Sequence, residues 1–237
     1  KIFSPRRHNS VHHYDAVKQD ALAANFSKES AFHALFFDLP FPNSRSERLK
    51  MTALAINQLV NLEAYPIADL ESLARKALVE EMGRIYARDG VCLMPSFLTA
   101  AAVEMMAEEA RNASVGAYHC DDTHNVYLEH DDTGLPPDHP RRQRQVTRLD
   151  VVGCDQLAHD GSLWGLYDWD PLRDFIGAVL GYEDFHRFAD PIGAMTINVM
   201  NEGDGHGWHY DEAMFTVSVM LQAPEAGGNF EYVRGLR

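Results

Sequence analysis

The chain has 237 residues, a formal net charge of −14 at pH 7, and 46% hydrophobic and 24% charged residues. That length provides one sizeable hydrophobic core and that composition is ordinary for a globular protein, so we expect a single domain over residues 1–237. The acidic balance argues against nucleic acid and anionic membranes as partners, because both require a basic surface. No apolar run reaches the roughly 18 residues that a membrane span needs.

The three cysteines are an odd number without metal-type spacing, which predicts reduced thiols in a cytoplasmic protein. The N-terminal stretch lacks the basic and apolar regions of a signal peptide. The chain begins at Lys1 rather than Met and stops shortly after a predicted strand, so we expect that both ends are cut.

The first 110 residues are predicted to be mainly helical support. Aromatic residues in Ala21–Phe37 have helical spacing, and the prolines in Leu39–Ser44 end that segment because proline cannot continue a helix. Leu49–Leu62 and Asp69–Ala87 follow as predicted helices. The second has an apolar stripe that indicates core packing, formed by Leu70, Leu73, Ala74, Ala77, Leu78 and Ile85.

A turn, a short strand and a capped helix come next. Asp89-Gly90 predicts the turn, and Val91–Met94 predicts the strand. Thr99 is a suitable N-cap for the following helix, whose apolar face is formed by Val103, Met106, Ala107 and Ala110.

Ser114–Arg148 is a long polar region, which we interpret as a loop and a candidate active-site cover. Four arginines concentrate positive charge near its end. We select Arg148 to bind a substrate carboxylate through paired hydrogen bonds, while surface arginines that balance nearby acids are the alternative. The same region contains a cluster of residue types that can bind metals, at His119, Cys120, Asp121, Asp122 and His124. We interpret this cluster as part of a polar loop rather than as a metal site.

One helix and two strands follow this region. Asp170-Pro171 opens the helix and Gly181 ends it. Ile192–Met200 is the first strand. Phe215–Gln222 is the second, with an apolar face for core packing at Phe215, Val217, Val219 and Leu221.

The motif with the clearest chemical meaning lies between these strands, at Gly203–Asp211. His209 and Asp211 are two residues apart, so on an extended chain their side chains project to the same side. They match two of the three ligands of the 2-His-1-carboxylate triad of Fe(II) oxygenases. His-x-Asp alone occurs often by chance, but the preceding glycine-rich turn and the following alternating strand favour a metal site.

Four runs of sequence carry a family resemblance: YDWDPL at Tyr167–Leu172, FADP at Phe188–Pro191, GDGHGWHYD at Gly203–Asp211 and TVSVMLQAPEAGGNFEYV at Thr216–Val233. On these runs the chain resembles the Fe(II)/2-oxoglutarate-dependent oxygenases. It is most similar to the family of halogenases and hydroxylases that act on free amino acids such as lysine. The similarity extends from about residue 125 to the C-terminus, and more thinly over residues 87–110.

The resemblance implies an α+β fold, a distorted double-stranded β-helix of the jelly-roll or cupin-like kind with packed N-terminal helices. Residues 111–237 would form the loop and barrel part. It also implies Fe(II) as the metal, 2-oxoglutarate and O2 as cosubstrates, and a free amino acid or similar small polar metabolite as substrate. His209 and Asp211 are then metal ligands. Thr216 and Ser218, on the mixed face of the second strand, are expected to face 2-oxoglutarate.

His206, Trp208 and Arg148 are the predicted substrate contacts. His206 either faces the substrate or hydrogen-bonds the turn, and Trp208 is predicted as a wall of the pocket or part of the core. The halogenating relatives have Gly at the position of Asp211, which opens a coordination site for chloride. Asp211 fills that site, so the resemblance implies a hydroxylase, although desaturation uses the same residues. A non-catalytic or differently metallated cupin-like binding protein is the alternative from another class.

The resemblance also implies residues that this chain does not have at the expected place. A second histidine ligand is expected several tens of residues after Asp211, and an arginine for 2-oxoglutarate after it. Only 26 residues follow Asp211, none of them His, and Arg234 and Arg237 come too early. The cut ends favour missing C-terminal barrel strands. A natural truncation without iron chemistry stays open, as does an unusual site completed by His119, His124, His130, His139, His159 or His186.

Overall fold

The computed structural model describes the backbone of residues 31–36 and, in full, residues 56–130, 133–211 and 213–234. Three predictions fall wholly or partly outside these residues. They are the first part of the helical segment Ala21–Phe37, the break at Leu39–Ser44 and the first part of the helix Leu49–Leu62. In chain order the strands and helices are β1 Ala31–Phe36, α1 Leu73–Asp89, α2 Ala100–Ala113, β2 Tyr118–His124, β3 Gln145–Gly153, α3 Ser162–Tyr167, α4 Asp170–Leu180, β4 Met195–Met200 and β5 Ser218–Gln222.

The five strands form one antiparallel sheet in the order β2-β3-β4-β1-β5. Helices and strands together make the α+β class that the sequence predicts. Within the described residues the sheet is open and does not close on itself, so the double-stranded β-helix stays a prediction.

One face of the sheet is covered by helices. Val152 pairs with Ile197 in the β3–β4 ladder, and both are completely buried in the hydrophobic core. Directly paired residues share a face, so this is the face on which α2, α3 and α4 pack. The core residues that these helices contribute include Ala102, Met106, Ala110, Leu163, Leu166 and Phe175.

The opposite face of β3 has a different composition. Thr147 and Leu149 are buried there, outside the cluster that the helices cover. Thr147 pairs with Asp122 of β2, so it shares this face with Asp122 and with His124, two residues further along β2. This second face is where the histidine motif lies.

Helix α2 is confirmed in its cap and in its buried face. Thr99 accepts a hydrogen bond from the backbone N–H of Ala102, as an N-cap side chain should. Met106, Ala107 and Ala110 are buried, and Val103 packs beside them.

Helix α1 is present, but its predicted apolar stripe is partly wrong. Leu73 is 85% exposed, and Ala74 and Ala77 are exposed with it. The helix packs instead through Leu78, Val79 and Met82. It contacts α4 closely, since a Cβ on Gly83 would lie 3.4 Å from the carbonyl oxygen of Val179.

Three further predictions need correction. Val91–Met94 is not a strand; Leu98 forms a single bridge with Val60 instead. Within the region predicted as helical support, Ala31–Phe36 is the strand β1, which pairs with both β4 and β5. The polar region Ser114–Arg148 is not one loop, because β2 and the start of β3 form a hairpin in it.

The later elements follow the prediction closely. Helix α4 ends at Gly181, whose φ of 77° is the left-handed conformation that favours glycine. Strands β4 and β5 each begin three residues later than predicted. Among the described residues, no helix combines the length and the apolar character needed to cross a membrane.

Candidate metal centre

The histidine motif is attached to the hairpin of β2 and β3 by backbone hydrogen bonds. After β4 the chain turns, and Gly205 exchanges two hydrogen bonds of 2.9 Å with Arg148. Tyr210 then donates its backbone N–H to the carbonyl of Val126, at 2.7 Å, and its ring stacks on that of Tyr127. Both ends of the motif are therefore fixed to the same hairpin.

The turn before the motif is organised by Asp204 and Arg148. One carboxylate oxygen of Asp204 accepts the backbone N–H of Asn201 at 2.9 Å, and the other accepts Arg148 Nε at 3.0 Å. Arg148 Nη2 also donates to the carbonyl of Gly203, at 2.8 Å. The hydrogen bond from Asn201 and the guanidinium of Arg148 lower the pKa of Asp204. Arg148 is thus a turn residue here, and its binding of substrate stays a prediction.

The two candidate ligands, His209 and Asp211, lie close together, and their role as metal ligands stays a prediction. His209 Nε2 lies 3.1 Å from Asp211 Oδ1. Nδ1 of the same ring lies 2.7 Å from the carbonyl oxygen of Gly207, which can only accept. In the neutral ring the proton therefore sits on Nδ1, and Nε2 presents a lone pair.

This geometry suits a shared cation. Two adjacent ligands at about 2.1 Å from one metal ion, at a right angle, are separated by about 3.0 Å. Without a cation, the lone pair of Nε2 faces a carboxylate oxygen unless a proton lies between them. That contact raises the pKa of His209, chiefly through its hydrogen bond with Asp211, and lowers the pKa of Asp211 for the same reason. The pair can hold a proton or a metal ion.

Thr216 orients the carboxylate of Asp211. Its hydroxyl donates to Oδ2 at 2.5 Å, so Oδ1 is left on the side of His209. The sequence assigned Thr216 and Ser218 to the cosubstrate. Ser218 is exposed at the start of β5, and a contact of either residue with 2-oxoglutarate remains a prediction.

Two more aromatic side chains of the motif, those of His206 and Trp208, are exposed. The His206 and His209 rings are 4.2 Å apart between centroids, and His206 is exposed. Trp208 is 46% exposed, which excludes the core position considered for it. His206 therefore lies at an accessible surface next to His209, and Trp208 is exposed in the same motif.

Within the described part of the chain, no three His, Cys, Asp or Glu side chains converge on one point as metal ligands would. The His124 ring also lies near that of His209, with centroids 6.2 Å apart, but Thr147 Oγ1 and the Asn125 carbonyl contact its two nitrogens. His119 contacts Asp150 at 2.7 Å on the other face of the hairpin. The polar cluster around His119 is thus divided between two faces of a strand.

Thr147 is not among the site residues predicted from the sequence. Its hydroxyl lies 2.7 Å from His124 Nε2 and accepts the backbone N–H of Gly207 at 2.9 Å. The available signal was strand periodicity, which puts a buried threonine on the same face as His124 once the β2–β3 pairing is known.

The comparison with protein families gives a match over most of the chain. The profile described as HalD, halogenase D, matches residues 74–237, which is more than half of the chain. A match of this kind indicates an enzyme of a halogenase-like class. The chain belongs to the halogenase D family. No curated protein and no solved structure matches it.

Proposed function

We propose that the protein is an Fe(II)/2-oxoglutarate-dependent hydroxylase of a free amino acid or a comparable small polar metabolite, built on a double-stranded β-helix. The 3.1 Å approach of His209 Nε2 to Asp211 Oδ1 carries this proposal, because it suits two adjacent ligands of one ion. Membership of the halogenase D family supports it.

The residues of the site would act by holding and orienting the metal. His209 binds through Nε2, since the carbonyl of Gly207 holds Nδ1–H. Asp211 binds through Oδ1, since the hydroxyl of Thr216 occupies Oδ2. When bound, Fe(II) with 2-oxoglutarate and O2 supplies the oxidation of a substrate C–H bond, with release of succinate and CO2. The third protein ligand lies outside the described residues in this proposal.

Asp211 also sets the choice of product. A carboxylate at this position occupies a coordination site that chloride would need, so hydroxylation is the expected outcome. On the substrate side, His206 is accessible beside His209, and Trp208 is exposed in the same motif. An imidazole at that place can donate to a substrate carboxylate, and a site built on such contacts rejects analogues that lack the matching group.

Anaerobic titration of the protein with Fe(II) and then 2-oxoglutarate tests the metal and cosubstrate together. A weak visible charge-transfer band is expected on addition of 2-oxoglutarate, and it should be absent in H209A. A panel of free amino acids, incubated aerobically with Fe(II), 2-oxoglutarate, ascorbate and chloride, then tests the reaction by mass spectrometry. Succinate formation only with a large hydrophobic or polymeric substrate would overturn the proposed substrate class.

A second candidate is a differently metallated or non-catalytic cupin-like binding protein. It is favoured by the observation that only two ligands converge among the described residues. This protein would bind a divalent ion without the charge-transfer band and would form no succinate. The same titration therefore separates the two candidates.

A further inference from the structure

We propose that Thr147 and His124 are positioning residues for the metal ligand His209 and act on it through the backbone of Gly207. This inference rests on the proposed metal site at His209 and Asp211, and it adds two residues from a different part of the chain. Neither is expected to touch the metal.

Gly207 links the hairpin to the ligand through both of its backbone groups. Its N–H donates to Thr147 Oγ1 at 2.9 Å, and its carbonyl accepts Nδ1–H of His209 at 2.7 Å. The second bond selects the ring nitrogen that faces Asp211. A shift of Gly207 would therefore move the carbonyl that accepts Nδ1–H of His209, and the Nε2 lone pair would turn away from Asp211.

The direction of the bond between Thr147 and His124 follows from the partners of His124. Its Nδ1 lies 3.0 Å from the carbonyl oxygen of Asn125, so in the neutral ring Nδ1 donates. Nε2 then accepts the hydroxyl proton of Thr147, at 2.7 Å. The Thr147 oxygen keeps its lone pairs for the N–H of Gly207. His124 thus fixes the hydroxyl in the orientation that Gly207 needs.

The surroundings keep this chain of hydrogen bonds rigid. Thr147 is 6% exposed and Asn125 is fully buried, where its side chain accepts the backbone N–H of Tyr127 and donates to the carbonyl of Glu129. A Cβ on Gly207 would lie 2.8 Å from the carbonyl oxygen of Val146 and 3.1 Å from His124 Nε2. The glycine therefore fits closely against the hairpin, and its peptide groups have little freedom to move.

The test compares Thr147→Val, which keeps the shape but removes the hydroxyl, with Thr147→Ser, which keeps the hydroxyl. Co(II) is titrated into each protein as a spectroscopic substitute for Fe(II), and the affinity and the visible ligand-field bands are measured. We expect T147V to weaken Co(II) binding by about 10- to 100-fold and to change the bands, as loss of an outer-shell partner does. We expect T147S to bind as the unmodified protein does.

Two further variants keep the comparison decisive. Thr123→Val makes the same change at an exposed threonine of the hairpin and should bind Co(II) normally. His124→Phe leaves the Thr147 hydroxyl in place and removes its acceptor, together with the Nδ1–H donor to the carbonyl of Asn125. It should therefore weaken binding less than T147V does. Thermal unfolding of each apoprotein reports whether the fold is kept. If T147V does not fold, the Co(II) affinities and bands of H124F and T147S test the positioning role instead.

The outcomes distinguish this inference from the proposed function. Unmodified protein that binds Co(II) no better than H209A would overturn the metal site itself. A site that needs His209 but binds equally well in T147V and H124F would leave the metal site standing and overturn the positioning role. A T147S variant as weak as T147V would also overturn it, because the hydroxyl would not be the cause.

Discussion

At the residue scale, Asp211 is the side chain on which the proposed chemistry depends most. D211A removes the carboxylate oxygen that lies 3.1 Å from His209 Nε2. We expect it to lose hydroxylation and to weaken binding of Fe(II) by more than about 100-fold, beyond the loss typical of an outer-shell partner. Metal titration and product analysis measure these effects. Unchanged turnover in D211A would show that Asp211 is not a ligand of the working metal.

Gly207 allows a second prediction with a control in the same motif. A methyl group at Gly207 would lie 2.8 Å from Gln145 Cβ and 2.8 Å from the Val146 carbonyl oxygen, whereas at Gly205 it would meet nothing within 4 Å. We expect G207A to lower the free energy of unfolding by about 1–3 kcal/mol and G205A to change it by less than about 0.5 kcal/mol. Urea denaturation of both variants gives the comparison. Equal stability of the two would show that the hairpin moves aside.

Only part of the site could be predicted from these residues. His209 and Asp211 are two residues apart, so their approach is a local feature that their spacing could suggest. The bonds of Thr147 to His124 and Gly207 join three segments that are distant in sequence, and no single segment reveals them. Arg148 was selected for its charge, but its partners depend on the turn that β4 leads into.

At the scale of elements, the turn between β4 and the motif should depend on pH. The pKa of Asp204 is lowered by the backbone N–H of Asn201 and by Arg148. A carboxyl whose pKa is lower in the folded protein stabilises it above the ordinary pKa of aspartate, about 4, and this contribution is lost as the pH falls towards the lowered pKa. We expect D204N to lose about 1 kcal/mol at pH 7.

The difference between D204N and the unmodified protein should shrink as the pH falls from about 5 to 3, and urea denaturation across that range measures it. Asp184→Asn, at an exposed aspartate, serves as the control. A difference that stays constant with pH would show that the effect does not come from the ionised carboxylate of Asp204.

The short helix α3 gives a separate prediction, because its first turn is bound by a carboxylate from α2. Glu109 Oε2 accepts the backbone N–H groups of Ser162 and Leu163 and the hydroxyl of Ser162, at 2.7–3.2 Å. A negative group is favourable at a helix N-terminus. We expect E109A to cost about 1–3 kcal/mol of stability and E109Q, which keeps an acceptor, to cost less. Thermal or urea unfolding ranks them, and equal losses would exclude a capping role.

The elements differ in how well the sequence predicts them. The Thr99 cap, the Met106 face of α2 and the Gly181 end of α4 are local features, and they are correct. The stripe on α1 failed because the close approach of Gly83 to α4 selects which face packs, and that choice depends on tertiary contacts. The hairpin was missed because β2 is mostly exposed and polar, so it lacks the apolar alternation of a half-buried strand.

At the scale of the whole molecule, the two faces of the sheet have separate tasks. The helices bury one face of β3 and β4 in the hydrophobic core around Val152 and Ile197. The motif is attached to the other side of the same strand through Thr147 and to its backbone through Arg148. The proposed ligands are thus held against a strand that the core makes rigid, and binding of a metal to them should be coupled to global unfolding.

That coupling leads to the last prediction. An ion that binds the folded protein and not the unfolded chain stabilises it by about 2.7 kcal/mol at a free concentration 100 times its Kd. We expect Fe(II) under anaerobic conditions, or Co(II) in air, to raise the melting temperature of the unmodified protein, and 2-oxoglutarate to raise it further. H209A and D211A should show no such increase, while G205A should respond like the unmodified protein. An equal increase in H209A would mean that the ion binds elsewhere in the chain, and the ligand assignment would then be wrong.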